Sequence, residues 1–273
     1  MSLSLGDATG EITARAFEEA RLDTDALEAG QAVRIKGVVT EWSGQLQVKI
    51  EAIERAEENI DPHLLLPCSS RPRHELETDL IRAVETVQHP HLRALLAGFF
   101  SDPGFAGIFL TAPASKRHHH AYLGGLAEHT LAVADIASRL SEVYRCDREL
   151  LVTCALLHDI GKVKELRYDT CIDYTVEGRL LGHIILGYEL VSTKINQEPS
   201  FPETLRLKVL HMILSHHGEY RWQSPKRPKF LEAQLLHRAD LIDAERAMFR
   251  NALQPGFTWS RELERFIYTS PDE

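Results

Sequence analysis

Between Leu3 and Ile53 the apolar positions fall in short runs separated by turn residues, a pattern that predicts strands. The clearest runs are Glu11 to Phe17, Val33 to Thr40 and Gln45 to Ile50, and Gly6-Asp7 and Thr9-Gly10 punctuate the first part. Val33, Ile35, Gly37 and Val39 alternate onto one face, Leu46, Val48 and Ile50 onto another, and Ser43-Gly44 between them reads as a two-residue hairpin turn. So few strands cannot protect every sheet edge, so the module is expected to lean on something else or to lack a strand. From Glu57 to Pro72 the composition shifts to Asp61-Pro62, Pro67, Ser69, Ser70 and Pro72, which predicts a linker. Beyond it the period becomes helical. Leu76, Leu80, Ile81, Val84 and Val87 mark one amphipathic helix, and Leu92, Leu95, Leu96 and Phe99 start another after Pro90. Further helices are predicted over Leu126–Tyr144, Arg148–His158, Gly182–Ile195, Pro202–Ser215 and Phe230–Phe249. The expected architecture is mainly α: a small β module over 1–56, a linker over 57–72 and an all-helical domain over 73–273.

Composition narrows the class. The chain has 273 residues, 44% apolar and 26% charged, enough to bury a core without staples. Cys68, Cys146, Cys154 and Cys171 form no C-x-x-C pair and are too sparse for a disulfide framework, which favours reduced thiols and a cytoplasmic location. Met1 to Gly10 lacks a basic start and an apolar core, and no window approaches the roughly 18 unbroken apolar residues of a membrane span, so no membrane partner is expected. The net charge of −9 argues against a broad basic surface that coats nucleic acid. Residues 1–60 alone carry 12 acidic and 6 basic side chains, a net of −6, which weakens the case for backbone binding by the β module. Trp42 and Phe17 could stack on bases, although an isolated aromatic in a small barrel is more often core.

The 14 histidines change the picture most, because they cluster where polar residues break apolar helices. His158-Asp159 ends the buried-looking run Ala155 to Leu157 and is followed by Ile160-Gly161-Lys162. Neighbouring side chains on a helix diverge by about 100°, so the pair reaches one ion only at a helix end, or serves two ions through a bridging carboxylate. His129, His183, His216 and Asp240 interrupt other apolar stretches in the same way. A single such histidine is ordinarily a hydrogen-bonded core residue. The ordered series His129, His158-Asp159, His183, His216, Asp240 instead offers six mixed imidazole and carboxylate ligands, enough for two divalent transition metals with open positions.

The series His129, His158-Asp159, Asp240 resembles the metal signature of the HD-domain phosphohydrolase superfamily, an all-helical bundle, and His183 and His216 resemble its two-metal members. Lys116 to His129, Ser215-His216-His217-Gly218 and Glu232-Ala233 to Asp240 are similar to the YhaM-type 3′-to-5′ exoribonucleases, over about Arg73 to Phe249. That family carries an OB-type barrel before the HD domain. Leu5 to Ile12 resembles the strand and turn after the first OB strand, and Gly37 to Val48 the later hairpin; the counterpart of the first strand is missing, so the OB-like module is expected to be incomplete.

The resemblance implies two divalent ions, Mn first, with Fe, Co, Ni or Mg as alternatives. His129, His158, Asp159 and Asp240 would hold one, and Asp159 would bridge to a second held by His183 and His216. Phosphodiester hydrolysis by a metal-activated hydroxide follows, with Asp159 and Lys162 as catalytic residues. His217 is either the alternative ligand to His216 or a proton donor. Arg117, His119 and His120, in the run Lys116 to His120, are candidate phosphate contacts, with a solvated basic turn as the other reading. Lys226 and Arg227, in the acid-free stretch Arg221 to Lys229, are candidates for guiding the strand. The expected function is 3′-to-5′ exonuclease action on single-stranded RNA, with DNA as a second substrate. An HD-type small-nucleotide phosphohydrolase or cyclic-dinucleotide phosphodiesterase is the alternative, although His216 to Tyr220 is not followed by that group's Gly-Tyr-Pro pattern. A non-catalytic nucleic-acid-binding protein comes third, and homo-oligomerisation is left open.

Overall fold

The computed structural model describes residues 1–22, 27–56, 60–250, 256–261 and 263–270. The chain divides into two compact units, Met1–Cys68 with Arg167–Asp173, and Ser69–Leu166 with Tyr174–Glu273. The predicted linker stretch thus holds a short helix, α1 (Pro62–Leu65), and the boundary after Cys68.

The first unit is a four-stranded sheet, β1 (Ser2–Asp7), β2 (Gly10–Leu22), β3 (Val33–Trp42) and β4 (Gln45–Arg55), in the order β1-β2-β4-β3. β1 and β2 form a hairpin whose turn is held by Asp7 Oδ1, which accepts from Thr9 N at 2.7 Å and Thr9 Oγ1 at 2.6 Å. β2 then runs parallel to β4, which requires a crossover, and β3 returns antiparallel to β4. The predicted hairpin turn is present: Trp42 pairs with Gln45, and Ser43 and Gly44 both take positive φ, 53° and 77°, as a type I′ turn requires. The predicted alternation does not run through. Register jumps from Lys36–Ala52 to Gly37–Ile50, skipping Glu51, so Ile50 and Ile53, three apart, both reach the core. They pack with Ala14 and Ala16, flanked by Leu3, Leu5, Val33, Ile35 and Val48, while Val39 and Leu46 are more than half exposed. Phe17 and Trp42 are also exposed rather than core, and Lys49 Nζ stands 5.5 Å from the Phe17 ring centroid.

The second unit is the predicted helical bundle: α2 (Arg73–Glu85), α3 (Pro90–Phe100), α4 (Pro103–Thr111), α5 (Gly125–Tyr144), α6 (Arg148–Leu157), α7 (Lys162–Glu165), α8 (Val176–Asn196), α9 (Glu203–Ser215) and α10 (Leu231–Arg250). α6 is its axis. Asp147 caps it by accepting from Leu150 N at 3.0 Å, and every residue from Leu150 to Leu157 is buried. Each of its buried leucines contributes about 2 kcal/mol of transfer free energy, and α3, α5, α9 and α10 all pack against it. α8 begins at Val176, before the predicted Gly182, because Thr175 Oγ1 caps it through Gly178 N; Gly182 is a kink inside it with φ 73° and ψ 158°. β5 (Leu166–Arg167) pairs with β6 (Asp173–Tyr174) at the two ends of the segment assigned to the first unit, and a second short hairpin, β7 (Gly256–Ser260) with β8 (Arg265–Thr269), belongs to the second unit. The latter lies in a stretch expected to be helical; its alternating aromatics pair across the strands, Phe257 with Tyr268 and Trp259 with Phe266, each at 5.1 Å between centroids. Among the described residues no single helix is long and apolar enough to cross a membrane.

Candidate metal centre and cleft

Five elements of the bundle aim histidines and carboxylates at one point. His129 lies in the second turn of α5, His158 and Asp159 follow α6, His183 follows the kink of α8, His216 and His217 follow α9, and Asp240 lies on α10. His129, His158 and His216 have no exposed surface, and Asp159 is 2% exposed. Gly161 lets a second helix come close there. A Cβ on it would sit 2.0 Å from the His183 carbonyl oxygen and 2.5 Å from Gly187 N, so α8 approaches as closely as a glycine permits.

Each ring is oriented by the nitrogen that faces away from the centre. His158 Nδ1 donates to the Ala155 carbonyl at 2.7 Å, His216 Nδ1 to the Ile213 carbonyl at 2.7 Å and His217 Nδ1 to the Trp222 carbonyl at 2.8 Å. His129 Nδ1 donates to Asp243 Oδ2 at 2.8 Å, and His183 Nδ1 to Glu165 Oε1 at 3.0 Å. With every Nδ1 committed as a donor, the five Nε2 atoms turn inward, and each offers a lone pair to a cation once its ring is deprotonated. Burial pushes the His129 ring down, but Asp159, Asp240 and Asp243 around it overcome this and raise it well above the ordinary 6.5, so a proton stands there in competition with a metal.

Those atoms fall into two sets that share Asp159. His129 Nε2 lies 3.2 Å from His158 Nε2, 3.4 Å from Asp159 Oδ2 and 3.3 Å from Asp240 Oδ1. On the other side, Asp159 Oδ1 lies 3.5 Å from His183 Nε2 and 3.6 Å from His216 Nε2, and His183 Nε2 is 3.3 Å from His217 Nε2. Asp159 Oδ1 and His216 Nε2 are buried with no hydrogen-bond partner. Acceptors facing acceptors in a buried site repel unless a cation lies between them, and ligands bonded at about 2.1 Å stand about 3.0–3.4 Å apart in octahedral or tetrahedral geometry. The residues therefore fit divalent metal, in two adjoining half-sites.

Electrostatics agrees with that fit. Burial pushes the Asp159 and Asp240 carboxyls up, but Lys162 and His158 beside the first and His129 and His158 beside the second overcome it and hold both well below the usual carboxylate range. Burial, with His216 and His183 next to it, pushes His217 down to about 3, which keeps its ring neutral. Lys162, 7% exposed, opposes its own burial by pairing with Asp159 Oδ2 at 2.6 Å and stays protonated.

A cleft of about 580 Å³ opens onto this centre, lined among others by His118, His119, Lys162, Asp159, Tyr174 and Trp222. The predicted substrate contacts separate here. His119 faces the cleft and burial, with Lys162 and His129 nearby, pushes it down to about 3. His120 does not reach it: Nε2 donates to Asp243 Oδ2 at 2.8 Å and Nδ1 accepts from the Tyr122 hydroxyl at 2.7 Å, so neither nitrogen is left for a phosphate. Arg117 is exposed and outside the cleft lining. Lys226 and Arg227 are also outside it, Arg227 paired with Glu219 at 3.2 Å, and of that basic stretch Arg221 is the cation that lines the cleft. Sequence reasoning missed Asp243 and Glu165, the carboxylates behind His129 and His183. Asp243 follows Asp240 by three residues on α10 and so shares its face, the one signal available for it.

The HD domain family matches residues 126–245, and an OB-fold nucleic acid binding domain family of the tRNA anti-codon type matches residues 1–56. An HD domain implies divalent metal binding. The 3′-5′ exoribonuclease YhaM of Oceanobacillus iheyensis is 35% identical over 263 residues, 94% of this chain and 82% of the relative. Its counterpart in Bacillus subtilis is 32% identical over 258 residues, 93% of this chain and 81% of the relative. The Listeria innocua protein of the same name is 32% identical over 261 residues, with the same coverage of 93% and 81%. No solved structure matches. With the two half-sites on the HD bundle and an OB-fold module ahead of it, the chain belongs to the YhaM family.

Proposed function

We propose that this chain is a metal-dependent 3′-to-5′ exoribonuclease that hydrolyses single-stranded RNA one nucleotide at a time from its 3′ end, with single-stranded DNA as a second substrate. The observation that carries the reading is the shared carboxylate Asp159, with three imidazoles on one oxygen's side and two imidazoles and Asp240 on the other. His129, His158, Asp159 and Asp240 would hold one ion, and Asp159, His183, His216 and His217 a second. Manganese suits this mixed imidazole and carboxylate set, and Fe, Co and Ni share the preference. When bound, such ions act as Lewis acids that favour ionised water and offset charge on a phosphoryl group. The chain's own contribution is orientation and charge. The Nδ1 donors lock the five rings, Asp243 and Glu165 fix the orientation of two of them, and Lys162 stands in the cleft lining as a cation for a phosphate oxygen. His217 belongs with the ligands rather than with proton donors, because its ring is held neutral and its Nε2 turns toward His183 Nε2. His119 and Arg221 are the side chains placed to contact the strand. A cytoplasmic location suits such an enzyme and suits four free cysteines.

The direct test incubates the untagged protein and Mn with 5′-labelled single-stranded RNA, and in parallel with free nucleotides and a cyclic dinucleotide. A ladder that shortens from the 3′ end, releasing nucleoside 5′-monophosphates, is expected. Turnover confined to the small nucleotides would overturn the exonuclease in favour of a small-nucleotide phosphohydrolase.

A further inference from the structure

Part of the cleft lining is apolar. Beside imidazoles, carboxylates and Lys162, the lining includes the large apolar side chains Tyr174, Leu181, Ile185, Trp222 and Leu241. Four of these are strongly exposed for large apolar side chains: Leu181 at 50%, Ile185 at 39%, Trp222 at 38% and Tyr174 at 36%. The kink at Gly182 creates this arrangement, since it turns His183 into the centre and leaves Leu181 and Ile185, on either side of it, along the cleft. Arg221 lies over one face of the Trp222 ring, its guanidinium carbon 4.7 Å from the centroid, and the His237 ring is 5.9 Å from the same indole, so a cation covers that face and forms part of the surface a base would meet. Exposed apolar surface inside a polar, cation-binding cleft costs free energy unless a ligand covers it.

We infer that this apolar lining is a stacking shelf for the nucleobase of the 3′-terminal nucleotide, which places that nucleotide's phosphodiester at the shared carboxylate. The inference rests on the exonuclease reading and specifies what that site recognises. The ligand this chemistry fits has a flat apolar face within one phosphate of a centre that would be cationic once its two carboxylates hold divalent ions, as an unstacked nucleotide does. Aliphatic and aromatic faces accept any base, because every base has a π-face. A paired 3′ end cannot lay its terminal base on the shelf without unstacking, so the shelf also selects single strands. The cleft, at about 580 Å³, lies within the 300–1,000 Å³ range of small-ligand sites and so suits one nucleotide better than a duplex end.

The test compares two 5′-labelled oligoribonucleotides that differ only in whether the 3′-terminal residue carries its base or is abasic. On the wild-type protein, removing the base is expected to raise KM by about tenfold or more, the size of one lost stack, while kcat changes far less. Leu181→Ala and Trp222→Ala are expected to raise KM on the normal strand similarly and to add little on the abasic one; Trp222→Phe keeps most of the wild-type value. Metal content per chain in each variant serves as the folding check, and the Trp222 changes leave in place the backbone carbonyl that accepts from His217. Equal KM for the two strands on the wild-type protein would overturn the shelf, as would variants whose penalty is the same on both strands. Failure of the wild-type protein to shorten either strand would instead overturn the exonuclease reading, and the shelf with it.

Discussion

Asp243→Asn tests how the centre is held together, because Asp243 is not among the predicted ligands yet fixes one of them. Its Oδ2 accepts from His129 Nδ1 and from His120 Nε2, both at 2.8 Å, and its side chain is 1% exposed. Asparagine has nearly the same volume and keeps one acceptor oxygen, so packing is preserved while the charge is lost. A hydrogen bond to a charged partner contributes about 1.5–3 kcal/mol and a neutral one about 0.5–1.5, so each bond weakens by about 1 kcal/mol or somewhat more. The bond to His129 acts directly on metal affinity: about 1.4 kcal/mol is tenfold, within the ten- to hundredfold typical of outer carboxylates behind a metal histidine. Both bonds act on folding, so the metal-free variant should lose about 2–3 kcal/mol. Competition titration of Mn or Co against a chromogenic chelator reads the first quantity, and urea unfolding in excess chelator reads the second. Hydrolysis measured at saturating metal should recover most of the wild-type rate, which separates weakened binding from lost chemistry. A metal affinity within twofold of wild type would refute the assignment of Asp243 as the orienting carboxylate.

Asp159→Ala is expected to abolish hydrolysis and to empty both half-sites, since its two oxygens face the two ligand sets; wild-type metal content in that variant would contradict the shared-carboxylate reading. Gly161→Ala should prevent folding or strip the metal, because the new Cβ would lie 2.0 Å from the His183 carbonyl oxygen; a soluble variant with full metal content and an unchanged unfolding midpoint would count against that packing. In the metal-free protein, burial raises the Asp159, Asp240 and Asp243 carboxyls, but the surrounding histidines and Lys162 overcome it and hold the folded-state values below the ordinary 3.8. Their stabilisation is therefore complete above about pH 5 and lost as pH falls through 4 toward the folded-state values. Urea midpoints in chelator should drop between pH 5 and 3, and a flat profile would refute the linkage.

The ligand series was legible because each member interrupts an apolar helix, where a polar side chain needs a partner that the sequence itself does not supply. His217 stayed ambiguous for a physical reason: consecutive residues on a regular helix diverge, and only the turn after α9 brings both imidazoles to one side. Asp243 and Glu165 were hidden because an acid near a helix surface reads as a solvated charge until its burial is known. His120 and His119 look equivalent in the run, yet the positive φ of 54° at His120 turns it inward to Asp243 while its neighbour faces the cleft. In the β module the alternation pointed to the right strands and hairpin turn, but a bulge that skips Glu51 shifts the inward face by one residue, which no local pattern records. The β7–β8 hairpin carries its own period-two aromatic signal, too short to stand out behind a long helix.

The central claim is that two metal half-sites share Asp159 on this bundle. Elemental analysis of untagged protein, wild type beside His183→Ala, tests it most directly. The account predicts two divalent ions per chain in the wild type and one in the variant, which loses a ligand of the second half-site alone. A single ion in both proteins, or two in both, would contradict it.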